Sequence, residues 1–295
     1  MGCMLCPRRC GADRRKQRGF CGETERIRVA RAALHMWEEP CISGKEGSGT
    51  IFFTGCNLRC VYCQNHTLSR SEVGKEIHVM RLSEIMIELQ EKGANNINLV
   101  TGSHYVPQIV EAIDLAREKG LHLPIVYNCG GYESVESLRM LKGYVDIYLP
   151  DFKYWKEESG RKYSLAADYP AIAKAAIDEM VRQVGAPEFA PSGLMKKGVI
   201  VRHLLLPGKV KEAQEIVSYL HGKYGDRIYL SLMNQYTPLS SLDKEAYPEL
   251  NRRVTTYEYD KLVNYAIDIG VNRAFVQEGK TAKESFIPSF TLEGV

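Results

Sequence analysis

From about residue 50 the chain alternates short β-rich apolar runs with longer stretches of helical periodicity, the pattern of βαβ units around a parallel sheet. Strands are predicted at 50–55 (TIFFTG), 96–102 (NINLVTG), 123–128 (LPIVYN), 144–151 (YVDIYLPD), 198–207 (GVIVRHLLLP) and 227–236 (RIYLSLMNQY). Helical patterns fall between them at 82–93, 107–120, 135–143, 172–185 and 211–225, several of them stopping at glycine. Six strands with intervening helices predict an α/β fold, a partial (β/α)6 TIM-like barrel, although an open doubly wound sheet gives much the same pattern. A further helix at about 255–270 and a short run at 271–277 follow, and the tail to Val295 reads as peripheral. The Gly- and Pro-rich connection 185–198 lies on the helix-to-strand side, away from the active face of a barrel, so a structural role is expected for it. The division that results is a Cys-rich N-terminal module (1–45), a barrel (46–240), and a C-terminal helix with a peripheral extension (241–295).

Composition narrows this little: 295 residues, 44% hydrophobic and 25% charged, describe an ordinary globular chain. A formal net charge of +3 is too mild to require nucleic acid or a membrane surface as partner. The start MGCMLCPRRC has no apolar h-region, and no later run approaches the roughly 18 apolar residues of a membrane span, which predicts a cytoplasmic protein. The opening Met-Gly resembles a myristoylation start, but Cys6 stands where that motif wants Ser or Thr. Cysteine usage changes the picture more. Eight of nine cysteines lie in the first 63 residues, most of them two to four apart, which in a reducing compartment points to metal binding rather than disulfides.

The segment GCNLRCVYCQN places Cys56, Cys60 and Cys63 in CxxxCxxC spacing directly after the first predicted strand, at the catalytic end of a barrel. Iron–sulfur clusters are usually bound by four thiolates, so three leave one iron without a protein ligand and free to take a substrate. A structural zinc is the alternative, with His66 as a fourth ligand.

CxxxCxΦC, with Tyr62 as the aromatic, is the signature of the radical S-adenosylmethionine (SAM) superfamily, and over about residues 50–240 the chain resembles the pyruvate formate-lyase activating enzymes, in particular their PflX-like relatives. The resemblance implies that Cys56, Cys60 and Cys63 hold a 4Fe-4S cluster whose open iron chelates SAM, and that reduction breaks SAM to a 5′-deoxyadenosyl radical. Tyr62 would then lie beside the adenine. TGSHY stands where the family has a Gly-Gly-Glu segment, so Thr101, Gly102 and Ser103 occupy the SAM amino-group site, with His104 either a substrate-side group or a loop histidine. YNCGGY aligns with a segment that helps bind a monovalent cation, with Asn128 and Cys129 replacing an Asp-Thr pair. Asp151 and Lys153 match an Asp-x-Lys pair suited to the cation or ribose and to the SAM carboxylate. Arg202 and His203 match a strand of which one residue must face inward. Asn234, with Met233 and Gln235, sits at the last SAM-contacting strand.

Ahead of the barrel, Cys3, Cys6, Cys10 and Cys21 form a candidate second site, suited to a zinc knuckle or to a second iron–sulfur cluster. Arg8, Arg9, Arg14, Arg15, Lys16 and Arg18 interleave with them; a solvated module is expected over an RNA-binding or acidic-partner surface, since no aromatic platform accompanies the run. Cys41 has no partner motif. By resemblance the enzyme takes electrons from a donor such as flavodoxin or ferredoxin and abstracts hydrogen from a glycine of a glycyl radical enzyme. The alternatives are a small-molecule, peptide or RNA substrate for the same chemistry and, from another class, a zinc-binding regulatory protein.

Overall fold

The computed structural model describes residues 2–277, 288 and 290–295. Its strands are β1 (Ile27–His35), β2 (Ser48–Phe53), β3 (Lys75–Ile77), β4 (Ile97–Val100), β5 (Ile125–Cys129), β6 (Ile147–Pro150), β7 (Glu188–Phe189), β8 (Met195–Leu204), β9 (Tyr229–Met233) and β10 (Ala274–Val276). They form one sheet in the order β10-β9-β8-β6-β5-β4-β2-β1-β3, with β7 paired to β8 off this path. Every pairing from β2 through β4, β5, β6, β8 and β9 to β10 is parallel, whereas β1 runs antiparallel to β2 and β3 antiparallel to β1. The architecture is a partial TIM-type barrel. The six predicted strands are all present, and the run at 271–277 adds β10 to the parallel set.

Side-chain alternation divides the strands between two cores. Ile97, Leu99, Tyr127, Tyr148, Val199 and Val201 pack outward against the helices. Val126, Ile147, Leu149 and Ile200 face a second apolar group completed by Cys41, Ile42 and Met195. The short helix Pro40–Ser43, between β1 and β2, thus fills the lower lumen, which accounts for the buried Cys41. The covering helices bury residues at helical spacing: Ala173, Ala176, Ile177, Met180 and Val184 of Tyr169–Val184 are one such stripe. The helix Thr256–Asp268 begins with a complete Thr255/Glu258 capping box. The 185–198 connection contributes β7 against the start of β8, and Leu194 approaches Gly44 at the same end, opposite the strand C-termini.

Candidate active site

β2 delivers the loop that carries the cysteine triad. Gly55 takes φ +79 there, and a Cβ on it would stand 2.5 Å from Glu23 Cγ and 2.8 Å from the Cys21 carbonyl, so only glycine lets the loop leave the strand. The backbone is then pinned: Cys56 N–H donates to the Cys21 carbonyl (3.1 Å), Val61 N–H to Tyr163 (2.9 Å) and Cys63 N–H to Cys60 (3.3 Å). All three thiols are free and partly buried. Cys56 Sγ accepts the Leu58 amide at 3.4 Å, and Ser164 Oγ donates to Cys60 Sγ at 2.9 Å. Burial first, and then the neighbouring Cys60, push the Cys56 and Cys63 thiols above the ordinary range. Tyr62 is buried in an aromatic group, edge-on to Tyr163 and Tyr236, and its hydroxyl joins a chain through Tyr154 (2.7 Å) to Ser164 (2.6 Å) that ends on the Cys60 sulfur.

Across from the triad, Asp151 directly follows β6 and is ion-paired with Lys153. Burial opposes the Lys153 charge, but Asp151, together with Tyr62 and Cys60, outweighs it and holds the ammonium protonated. The Lys153 stem passes Gly130, whose Cβ would lie 3.7 Å from Lys153 Cε and 3.0 Å from Leu58.

The loop after β4 is arranged differently from its sequence reading. Thr101 adopts φ +61, a conformation that costs energy for a β-branched residue. Gly102 faces the core, where a Cβ would meet Ile109 Cδ1 at 2.5 Å. Ser103 turns its hydroxyl to Glu133 at 2.6 Å and is buried. Glu133 also receives the Tyr127 hydroxyl (3.2 Å), and burial raises its carboxyl to about 7. His104 bonds the Thr54 carbonyl at 2.7 Å, and burial followed by the charge of Arg14 lowers it to about 3; it is a neutral loop histidine.

Above the apolar floor the lumen holds a polar layer of which sequence reasoning found Asn128 and Arg202 but missed Glu38, Glu39 and Asn98. Glu38 and Glu39 enter it from the segment after β1, and both bind Arg202 of β8: Arg202 Nε reaches Glu39 Oε1 at 2.8 Å and its Nη2 reaches Glu39 Oε2 at 2.6 Å, with Glu38 on the same nitrogen. Asn98 of β4 (2.8 Å) and Asn128 of β5 (3.3 Å) donate to Glu38 Oε1. A carboxylate therefore does stand beside Asn128, supplied by a distant part of the chain, and Arg202 supplies the positive charge. Two adjacent acids before a proline read as surface residues; only the tertiary fold turns them inward. His203 points to the opposite face, bonding the Phe152 carbonyl at 2.7 Å with Nε2 unpartnered. The end of β9 is tied to the triad loop by Gln64 Nε2, which donates to the Gln235 carbonyl at 3.2 Å, while Gln277 accepts the Asn234 amide at 2.9 Å.

The N-terminal segment docks on this same end of the barrel. Arg8 bonds the carbonyls of Asn57 (2.8 Å) and Ser164 (3.0 Å) and, like Arg59, lies over the Phe20 ring. Arg14, 6% exposed, bonds the carbonyls of Thr24 and His104. These two arginines are clamps rather than a solvated basic face.

Three free thiols on one pinned loop, accepting amide and hydroxyl protons beside a fixed ammonium, are a donor set that fits a three-thiolate iron–sulfur cluster. Among the described residues no three His, Cys, Asp or Glu side chains close on a point as a single metal ion demands. None of the described helices is long and apolar enough to cross a membrane.

The radical SAM superfamily model matches residues 50–220. An uncharacterized protein of Methanocaldococcus jannaschii is 30% identical over 271 residues, covering 90% of this chain and 74% of that protein. The pyruvate formate-lyase-activating enzyme of Clostridium pasteurianum is 23% identical over 218 residues, covering 68% and 87%. Among solved structures, HydG, a maturase of the FeFe-hydrogenase, is similar at a TM-score of 0.53 and 16% identity over 78% of this chain and 50% of that one. Streptococcus suis SuiB is similar at a TM-score of 0.52 and 10% identity, over 81% and 50%. The chain spans half the length of these two structures, and the likeness to them is one of fold.

Proposed function

The chain belongs to the radical SAM superfamily, and from that premise we propose that it is an activating-type enzyme in which Cys56, Cys60 and Cys63 hold a 4Fe-4S cluster and the lumen above Arg202 receives SAM. This membership in an enzyme family replaces the zinc-regulator alternative. The observation that carries the reading is the position of the three thiols on the loop after β2, facing the Asp151–Lys153 pair at the same barrel end. When bound, the cluster and SAM together supply one-electron cleavage of a sulfonium carbon–sulfur bond.

The chain's own groups do the rest. The Lys153 ammonium, kept charged by Asp151, is suited to a SAM carboxylate. Tyr62 and Tyr236 wall the triad with apolar rings that exclude water. Thr101 and Gly102 stand at the end of β4 and Asn234 at the end of β9, with the Thr101 amide bonded to Asn128 and the Asn234 amide to Gln277. The side chains of Ser103 and His203 are committed elsewhere, so their part is structural. The positive charge beside Asn128 comes from Arg202, and the reading needs no monovalent cation.

Hydrogen abstraction from a glycine of a glycyl radical enzyme is supported by the activating-enzyme relative, which is covered over 87% of its length. A smaller substrate is favoured by one observation: the N-terminal segment, through Arg8 and Arg14, covers loops on the face where a large partner would dock. The test is anaerobic reconstitution followed by SAM and dithionite, assaying 5′-deoxyadenosine. The native protein is expected to form it and Cys60→Ala to form none; equal yields from both would refute the assignment. Coupling to a protein carrying an RVxGY-like loop, against turnover without any protein partner, separates the two substrates.

A further inference from the structure

We propose that Cys3, Cys6, Cys10 and Cys21 form a second, four-thiolate metal centre that is distinct from the Cys56–Cys60–Cys63 set and braces its loop. The inference rests on the proposed function only in taking the triad as already committed to its own cluster.

The four thiols share one neighbourhood without closing on a single point, and Cys6 interacts electrostatically with both Cys21 and Cys3. Cys3 and Cys10 are within hydrogen-bonding reach of each other. The sulfurs of Cys10 and Cys21 lie 3.3 and 3.5 Å from where a Gly19 Cβ would stand, so any side chain at 19 would push between them. The backbone is folded to bring them there: Cys3 N–H donates to Ala12 (2.9 Å), Gly11 N–H to Cys3 (3.1 Å), Arg9 N–H to Cys6 (3.0 Å) and Gly22 N–H to Gly19 (3.0 Å). Arg9 accepts a left-handed φ of +42 to make its turn. The Cys6 and Cys10 sulfurs are bonded by the backbone of the residue two further on, Arg8 and Ala12, as Cys56 is by Leu58.

Energetics point the same way. Residues 2–26 contain no helix or strand, yet Cys6, Cys21 and Arg14 are buried in them. An irregular segment of this size cannot supply a core of its own, and with no disulfide present a thiolate–metal centre is the staple left to it. Its position gives it a task. The Cys21 carbonyl holds the Cys56 amide, Phe20 supports Arg59, and Arg8 spans from this segment to Asn57 and Ser164, so the centre fixes the backbone from which the triad projects.

The occupant is thiophilic: thiolates that do not close on a point fit an iron–sulfur cluster, whereas one zinc ion would draw them together. The experiment distinguishes the two. The full chain carrying Cys56→Ala, Cys60→Ala and Cys63→Ala is purified without oxygen and analysed for iron, sulfide and zinc. Retention of about four irons with sulfide and a broad visible absorption identifies a cluster, and retention of one zinc a mononuclear centre; both support the proposal provided that added Cys6→Ser and Cys21→Ser remove the metal. If those buried substitutions prevent folding, Cys10→Ser at the exposed ligand serves instead and must lower the metal content. A metal-free triad variant, or metal unmoved by the N-terminal substitutions, overturns the proposal. Because the triad is absent throughout, failure to cleave SAM does not affect this result.

Discussion

Replacing Glu133 with glutamine is expected to stabilise the protein above neutral pH and to do much less in mild acid. The carboxyl is buried, accepts the Ser103 and Tyr127 hydroxyls with the Cys129 thiol as a further donor, and has its pKa raised by desolvation from 4.5 to about 7. The folded state therefore keeps a proton that the unfolded chain has already released. Stability from this group is full below the unfolded value and is lost as pH rises from 4.5 to 7. At about 1.36 kcal/mol per pKa unit, the cost is under about 1 kcal/mol at pH 5 and about 3 kcal/mol at pH 8. Glutamine is never charged, and it forfeits roughly 1 kcal/mol of hydrogen bonding at either pH. The difference in unfolding free energy between variant and native protein should thus shift by about 2 kcal/mol in favour of the variant between the two pH values. Denaturant melts of the anaerobic holoprotein at pH 5 and pH 8 measure it. A difference independent of pH, or one that grows against glutamine at pH 8, would refute the burial argument.

Two further outcomes are expected. Ser164→Ala removes the hydroxyl donor to Cys60 Sγ, so less charge is stabilised at that sulfur and the cluster's reduction potential should fall by about 40 mV, from roughly 1 kcal/mol per hydrogen bond; an unchanged midpoint in an EPR-monitored redox titration would deny the bond any part in tuning. Arg202→Met strands two carboxylates whose side chains are 7% and 5% exposed, and should cost about 3–5 kcal/mol in a denaturant melt, with Glu38→Gln in the same chain recovering part of it; a loss below about 1 kcal/mol would mean that water or another cation already serves Glu38 and Glu39.

What the sequence made legible followed from how local each signal is. Six of the seven parallel strands among the described residues declare themselves by β-branched and aromatic runs, and the triad by spacing alone. β1 escaped notice because its buried positions are mostly alanine, Ala30, Ala32 and Ala33 beside Val29, which carry no strand signature, while Arg28 and Arg31 break the apolar run. Residue identities at strand ends were readable, but their directions were not: Ser103 and His203 occupy the expected positions and face away from the lumen, each drawn by a partner from another element. Glu38 and Glu39 could not be found from a chain position ahead of the barrel, since their meaning depends on Arg202, 164 and 163 residues later.

That separation bears on how the fold is checked as it assembles. The helix Pro40–Ser43 and the two acids ahead of it leave the ribosome before any of the parallel strands, and those acids wait without Arg202 until β8 arrives. A one-residue slip of β8 would turn Arg202 outward and present His203 to the carboxylates, in a pocket where a histidine cannot fork across both. Mispaired barrels are thereby left with two unpaired interior acids and the correct register is the one that gives both a shared partner, so the ion triad proofreads strand alignment late in folding, when contacts of such long range finally form.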